Sequence, residues 1–208
     1  GFHRNDTRWL SRFGRADHAN RQQYRAELQG MVDHLYNAAC IAAWVPFNES
    51  WGQFHARAVA EWLKAYDPSR LVDHASGWFD QDGGDFQSRH IYFKALTSPN
   101  PDRRAFVISE FGGYSLKVPG HVWDENKKFG YRFYNSPAEL AAAYLSLLEN
   151  EVMPLIPQGL TAAIYTETTD VEIEINGYLT YDRQVEKMDA EVLRKAHEAL
   201  IRKMAVEA

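Results

Sequence analysis

Cysteine is almost missing from this chain, which has one, Cys40, in 208 residues. An internal disulfide is excluded, because pairing needs two thiols. Cys40 lies in an apolar run, which predicts a buried and inert thiol rather than a nucleophile. A disulfide-stapled fold and a cysteine-based enzyme are therefore both disfavoured.

Long hydrophobic runs and an excess of positive charge are missing as well. Uncharged stretches such as 37–48 are too short to span a bilayer, and the first residues, GFHRNDTRWLSRFGR, lack the apolar core of a signal peptide. The chain has 23 Lys and Arg against 28 Asp and Glu, a formal charge of −5, so no overall field attracts a phosphate backbone. We expect neither nucleic acid nor a membrane as partner, and the compartment stays open.

The composition, 45% hydrophobic and 25% charged, is typical of a globular protein and predicts one domain, 1–208, with 1–18 as an irregular N-terminal segment. Short apolar strands alternate with amphipathic helices. The predicted helices cover 19–36, the stripe 54–63 that Asp67-Pro68 ends, the segment that opens with the capping box Ser136 to Glu139, and the segment that Asp189 caps. The predicted strands are 40–45, 71–72, 91–93, 105–108 and 161–165.

Apolar strands separated by helices indicate an α/β fold with a parallel sheet, either an open doubly wound sheet or part of a barrel. A barrel collects its chemistry from the ends of several strands, whereas an open sheet concentrates it at one switch point. Polar and aromatic residues follow or lie on five successive strands here, at 48–49, 74–78, 90–92, 109–110 and 165–167. This distribution favours the barrel.

Two carboxylates, Glu49 and Glu110, each stand where an apolar strand gives way to a loop. Glycoside hydrolysis needs such a pair, one to protonate the departing oxygen and one to attack the anomeric carbon or activate water. Their surroundings must separate their pKa values, so that one is protonated and the other ionised. With 28 acidic residues in the chain, the alternative is that both are merely solvated strand ends.

Aromatic residues surround these strand ends. Trp44, Trp51, Trp78 and Trp123 lie on or near them. A flat ring suits the apolar face of a sugar, although a single tryptophan is more often a core residue. The segment 111–135 has no clear helical period and contains seven aromatic residues, which predicts an ordered lid or pocket wall beside Glu110.

Five motifs in the chain together resemble glycoside hydrolase family 2, the family of β-galactosidases, β-glucuronidases and β-mannosidases. The motifs, spread over roughly residues 20–190, are WVPFNESWGQF, DPSRLVDHASGW, GDFQSRHIYF, VISEFGGYS and IYTETTDVEIEINGYLTYDR. The resemblance implies a (β/α)8 TIM barrel, of which this chain would contain strands 4 to 8. It also implies hydrolysis of β-linked sugars with retention of configuration.

Carried onto this sequence, the resemblance makes Glu49 the acid/base, Asn48 the partner of the sugar 2-hydroxyl and Glu110 the nucleophile. It places His90 and Tyr92 in the lining of the site, with Tyr92 orienting Glu110, and Tyr165 as an aromatic platform. The predicted substrate-binding residues, with the two tryptophans of the aromatic argument, are Asn48, Trp51, Trp78, His90, Tyr92 and Tyr165.

The sequence departs from the family pattern at three places. Residues 38–40 are Ala-Ala-Cys where the family usually has His-Pro-Ser, and Ser109 replaces a common Gly. Glu167 stands where Gln is frequent, which adds a third acid and a rival catalytic carboxylate.

No cofactor or metal is expected. His55, His74 and His90 have no diagnostic ligand spacing. The alternation 170–174, DVEIE, predicts a strand with one solvated face rather than a cation site.

Length is the difficulty for a complete barrel, which needs about 250 residues. Without strands 1 to 3, a partial barrel has unpaired sheet edges, so a homo-oligomer is possible. A catalytically silent carbohydrate-binding or structural fragment is therefore the alternative to a β-glycosidase. An open-sheet hydrolase using Ser76 or Ser109 with a histidine is a third reading, but the sequence has no G-x-S-x-G elbow to support it.

Overall fold

The computed structural model describes residues 15–207, which divide into two compact units. Unit 1 comprises 15–90 with 102–105, and unit 2 comprises 91–101 with 106–207. Residues 1–14 of the predicted irregular segment 1–18 lie outside the described residues. A single domain over 1–208 stays a prediction.

Unit 1 contains two helices, α1 (His18–Leu35) and α2 (Ala56–Tyr66), and the strands β1 (Ala43–Trp44), β2 (Leu71–Val72) and all but the last residue of β3 (Phe86–Ile91). β1 and β2 pair in parallel, with Ala43 opposite Leu71. The Asp17 carboxylate caps α1 by accepting from the Ala19 N–H at 2.8 Å. The core of this unit is formed by buried side chains of both helices and of the strand ends, among them Val32, Phe47, Phe54, Leu63 and Val72.

Unit 2 contains nearly all of β4 (Ala105–Gly112), followed by β5 (Tyr114–Ser115), β6 (Arg132–Phe133), α3 (Pro137–Leu147), β7 (Leu160–Thr166) and α4 (Ala190–Glu207). A π-helical turn, Leu148–Val152, and a 3-10 turn, Met153–Gln158, lead from α3 into β7. β4 pairs in parallel with β7, and β5 with β6. The core includes Ile108, Leu140, Tyr144, Leu148 and Leu160.

The helix predictions are confirmed, and side-chain caps begin the two helices that the sequence predicts to be capped. Ser136 accepts from the Glu139 N–H at 3.2 Å, with Pro137 in the first turn of α3. Asp189 accepts from two N–H groups of the first turn of α4, those of Glu191 and Val192.

Three sequence predictions are wrong. β3 runs from 86 to 91 rather than 91 to 93, because it buries the polar side chains Ser88 and His90, which hydrophobicity does not flag. Cys40 is exposed rather than buried, since the chain turns there after α1. Segment 170–174 is a tight turn closed by a bridge between Val171 and Glu174, not a strand.

The strand pairs within the units are parallel, as expected for an α/β chain. Among the described residues, no sheet inside either unit closes into a barrel, so strands 4 to 8 of a TIM barrel stay a prediction. Residues 161–164 of β7 are exposed. A homo-oligomer formed through unpaired sheet edges stays a prediction. None of the helices in 15–207 combines the length and apolarity that a membrane crossing needs.

Candidate active site

Glu49 lies in a strained turn after β1 in unit 1. Its φ is 51° and that of Ser50 is 64°, both in the left-handed region that non-glycine residues avoid. The turn is held against the loop after β2, where the Glu49 N–H donates to the Ser76 carbonyl at 2.8 Å and the Ser76 N–H donates to the Phe47 carbonyl at 2.9 Å. Left-handed residues held in this way are concentrated at functional sites.

The Glu49 carboxyl group contacts a buried histidine. Its Oε1 lies 2.9 Å from His90 Nδ1, and the His90 side chain is fully buried while 17% of the Glu49 side chain is exposed. Burial raises the pKa of Glu49 above its usual value. Gly77, which has a φ of 112°, provides space for this contact. A Cβ at that position would lie 3.1 Å from His90 Nδ1 and 3.3 Å from Glu49. A carboxyl group with a raised pKa is suited to donate a proton.

Asn48 is fixed next to Glu49 by a hydroxyl group. Ser76 Oγ donates to Asn48 Oδ1 at 2.7 Å. A serine hydroxyl has one proton to give, so this bond occupies the proton that a nucleophilic Ser76 would have to transfer to a base. The geometry therefore supports an orienting role for Ser76 and disfavours Ser76 as a nucleophile.

The four tryptophans separate into two kinds. Trp44 is a core residue, only 4% exposed, whose indole N–H donates to the Asp67 carboxylate at 2.9 Å. Trp51 and Trp78 are 59% and 41% exposed in unit 1, and Trp123 is 55% exposed in unit 2. Trp51 and Trp78 thus keep the ring surface that stacking on a sugar requires.

Glu110 lies near the carboxyl end of β4 in unit 2, and the structure brings Tyr92 to it. The Tyr92 hydroxyl donates to Glu110 Oε2 and lies 3.1 Å from Thr166 Oγ1 at the end of β7. Burial, followed by the hydrogen bond to Glu110, raises the pKa of the Tyr92 phenol. The phenol therefore stays protonated and donates to a Glu110 carboxylate over the ordinary pH range.

Two glycines after Glu110 make space for aromatic rings. Gly112 and Gly113 have φ of 88° and 64°. A Cβ at Gly112 would lie 2.3 Å from the Tyr165 ring, and one at Gly113 would lie 2.2 Å from the Tyr131 ring. Glycine is thus required at both positions by the backbone conformation and by the close approach of the two rings.

Tyr165 is part of a packed aromatic cluster. Its ring stacks on Tyr178 at 4.7 Å and meets Phe111 and Tyr144 edge-on, and its hydroxyl accepts from the Tyr114 N–H at 3.1 Å. Burial raises the pKa of this phenol. These contacts stabilise the end of β7, and a role of Tyr165 as a sugar platform stays a prediction.

Glu167 follows β7 in an acidic environment. Burial, with the nearby Glu174 and Asp170, raises the pKa of Glu167 to about 7. Asp170 is itself buried and pairs with Lys187, whose fully buried ammonium lies 2.5 Å from Asp170 Oδ1. Glu167 Oε1 is buried without a hydrogen-bond partner among the described residues. The carboxylate form of Glu167 is therefore disfavoured in the folded state.

We predict that Glu167→Gln stabilises the fold at high pH only. The folded-state pKa of Glu167 is raised, so ionisation costs folding free energy as the pH rises from about 4.5 to about 7, and the full cost applies above that. After allowance for solvent screening, the free energy of unfolding at pH 8 should rise by about 1–2 kcal/mol. Urea unfolding at pH 4 and pH 8 measures it.

The exposed Glu149 offers the matched control, as Glu149→Gln. That variant should match the wild type at both pH values. An equal gain for Glu167→Gln at pH 4 and pH 8 would contradict the assigned cause.

Some residues of these sites were missed by sequence reasoning. Thr166 beside Tyr92 and the buried Lys187 beside Asp170 have no local signal, because their partners are far away in the sequence. The contact between Glu49 and His90 could have been predicted, since both residues are among the polar residues that follow or lie on the five predicted strands. Glu49 and His90 belong to unit 1, whereas Glu110, Tyr92 and Tyr165 belong to unit 2.

Comparison with known proteins leaves the family open. No family model matches the chain, and no curated protein matches its sequence. Among solved structures, the chain is similar to one described as "Structural analysis of an exo-beta-agarase", with 12% identity and a TM-score of 0.46. The similarity covers 72% of this chain and 22% of the other, so this chain spans about a fifth of that protein. A likeness this distant carries no argument about function, and the resemblance to glycoside hydrolase family 2 stays a prediction.

Proposed function

We propose that this chain is the catalytic part of a retaining β-glycosidase, with Glu110 as nucleophile and Glu49 as acid/base. The observation that carries the proposal is the contrast between the two carboxyl groups. Glu49 is half-buried with a raised pKa, whereas Glu110 accepts a hydrogen bond from a phenol that stays protonated. A protonated acid and an ionised carboxylate are what a double displacement requires.

In the first step, the Glu110 carboxylate attacks the anomeric carbon of a β-glycoside. The bond to the leaving oxygen breaks while Glu49 gives that oxygen its proton, so the leaving group departs as a neutral alcohol. The product is an α-linked glycosyl ester of Glu110. Tyr92 holds Glu110 in one orientation, which fixes the line of attack.

In the second step, the now ionised Glu49 takes a proton from water, which attacks the anomeric carbon and displaces Glu110. Two inversions give net retention. This mechanism requires the two carboxyl groups to lie about 5 Å apart across the substrate, which is the separation that we expect.

The remaining residues supply recognition. In this proposal Asn48, whose amide oxygen accepts from Ser76, binds the sugar 2-hydroxyl beside the acid/base. The exposed rings of Trp51 and Trp78 offer flat apolar surfaces for sugar rings. The substrate class, β-galactoside, β-glucuronide or β-mannoside, follows from the family resemblance.

The proposal is tested with a panel of aryl β-glycosides carrying galactose, glucose, mannose and glucuronic acid. We expect hydrolysis of one or two members, with the β-anomer as the first product in proton NMR spectra. An α-anomer as first product would overturn the retaining mechanism. Binding of a sugar by the folded chain without any hydrolysis would favour the silent carbohydrate-binding alternative.

A further inference from the structure

The segment 111–135, predicted above as a lid or pocket wall, is bonded into unit 2 along its length. β5 and β6 pair within it, and the Tyr131 N–H donates to the Gly113 carbonyl at 3.3 Å. Phe129 exchanges backbone hydrogen bonds with the 170–176 region, donating to Ile173 at 2.6 Å and accepting from Ile175 at 3.1 Å. The backbone on both sides of Tyr131 is therefore held in place.

The Tyr131 ring lies flat on the Tyr92 ring. The two centroids are 3.8 Å apart and the planes differ by 3°. Phe129 meets Tyr131 edge-on at 5.5 Å, and Phe93 packs against it at 5.3 Å. The missing side chain of Gly113 provides the space in which the Tyr131 ring fits.

Tyr92 connects this stack to the proposed nucleophile. The hydroxyl of Tyr92 contacts both Glu110 and Thr166, and its direction depends on the plane of the Tyr92 ring. Stacking restricts that plane because any rotation of the ring would collide with Tyr131. Glu110 and Thr166 bond to the hydroxyl group of Tyr92, whereas Tyr131 lies against the face of its ring.

We propose that Tyr131 is a positioning residue for the nucleophile: by stacking on Tyr92 it fixes the phenol that orients Glu110. The segment 111–135 is then a fixed support of the site rather than a lid. The proposal rests on the glycosidase function proposed above. It extends that function to a residue that acts on Glu110 through the Tyr92 ring.

Loss of the stack should affect the chemical step more than substrate binding. A nucleophile displaced by a fraction of an ångström binds the ground state almost as well but reaches the transition state less often. We expect Tyr131→Leu to lower kcat about 10- to 100-fold with KM changed less than about threefold. Tyr131→Phe keeps the ring and should stay near the wild type.

The experiment combines kinetics with a readout that needs no activity. Each variant is prepared with and without 3-fluorotyrosine at position 92, and the fluorine signal is followed against pH by NMR. In the wild type and in Tyr131→Phe the pKa of the fluorinated Tyr92 phenol should lie well above that of free 3-fluorotyrosine. In Tyr131→Leu this pKa should fall towards the value of free 3-fluorotyrosine, together with the fall in kcat.

Two further variants serve as a replacement and as a control. Tyr131→Met preserves much of the side-chain volume without a flat ring, and it replaces Tyr131→Leu if the latter fails to fold. Phe133→Leu removes another aromatic ring from β6, and it should leave the Tyr92 titration and kcat unchanged.

The outcomes separate the two levels of the proposal. Parallel changes in titration and kcat, absent from Tyr131→Phe and Phe133→Leu, support the positioning role. An unchanged Tyr92 titration in folded Tyr131→Leu and Tyr131→Met, or an unchanged kcat, overturns it and leaves Tyr131 as a packing residue. A wild type that hydrolyses no glycoside in the panel overturns the glycosidase function, whatever the titration shows.

Discussion

A Glu110→Ala variant should lose hydrolysis of its best aryl glycoside by about 10⁴-fold or more in kcat, because removal of a covalent nucleophile closes the double-displacement route. Glu110 lies near the carboxyl end of β4 with its carboxylate held by Tyr92, so the replacement deletes the attacking group and leaves a small space. The fold should persist, since Glu110 is only half-buried and unit 2 keeps its apolar core. Initial rates with a dinitrophenyl glycoside measure the loss.

Azide distinguishes a missing nucleophile from general damage. In the Glu110→Ala variant a small anion can enter the space and attack the anomeric carbon directly, while Glu49 still protonates the leaving oxygen. One inversion then gives the α-glycosyl azide, which NMR identifies. Glu110→Gln fills the space and should not be rescued. Rescue that yields the β-azide, or a loss of less than about tenfold, would contradict the assignment of Glu110.

The second large effect is expected for Glu49→Ala, and it should depend on the leaving group. General acid catalysis contributes about 10²- to 10⁴-fold, and a glycoside with a poorly acidic leaving group should lose that much in kcat/KM. A dinitrophenyl glycoside should lose little in kcat/KM, because dinitrophenolate leaves without a proton. Comparison of the two substrates gives the result in one set of assays.

The pH profile of kcat/KM tests the acid role of Glu49. Burial raises the pKa of this carboxyl group, so the wild-type kcat/KM should fall with rising pH at a value above the usual range for glutamate. The Glu49→Ala variant should lose this basic limb. Azide should give the β-glycosyl azide here, since Glu110 still forms the ester. Glu61→Ala, at an exposed position of α2, serves as control and should keep the profile. An unchanged limb in Glu49→Ala would contradict the acid role.

The predictable part of the fold is the part that local signals decide. Asp17, Ser136 and Asp189 each cap a helix with their own side chains, and the apolar period fixes which face each helix buries. β1, β2, β4 and β7 lie within or around the apolar runs that predict them, although β1 and β2 have only two residues each.

Two of the three wrong predictions come from the burial of polar side chains, which residue type alone does not indicate. β3 buries a serine and a histidine, so an apolar scan places the strand a few residues too late. Asp170 is buried because Lys187, seventeen residues later, neutralises it, and the predicted strand 170–174 becomes a turn around that pair. Only the tertiary structure brings such partners together.

The residues of the candidate site also include some that the sequence predicts and some that it does not. Its carboxylates could be found because charged residues at the ends of apolar strands stand out in any sequence. Their supports could not, since Tyr131 contacts Tyr92 from thirty-nine residues away and Ser76 contacts Asn48 from the loop after another strand. Residue type predicts a candidate for the chemistry, whereas the geometry that tunes it depends on long-range packing.

The most direct test of the central claim is covalent trapping of the nucleophile. The folded chain is incubated with 2-deoxy-2-fluoro galactosyl, glucosyl, mannosyl and glucuronyl fluorides, and intact mass and peptide mapping follow, with Glu110→Gln as control. We predict one adduct per chain, carried by Glu110 and absent from the control, with a sugar that names the substrate. An adduct on Glu167, or no adduct from a chain shown to be folded, would contradict a retaining glycosidase with Glu110 as its nucleophile.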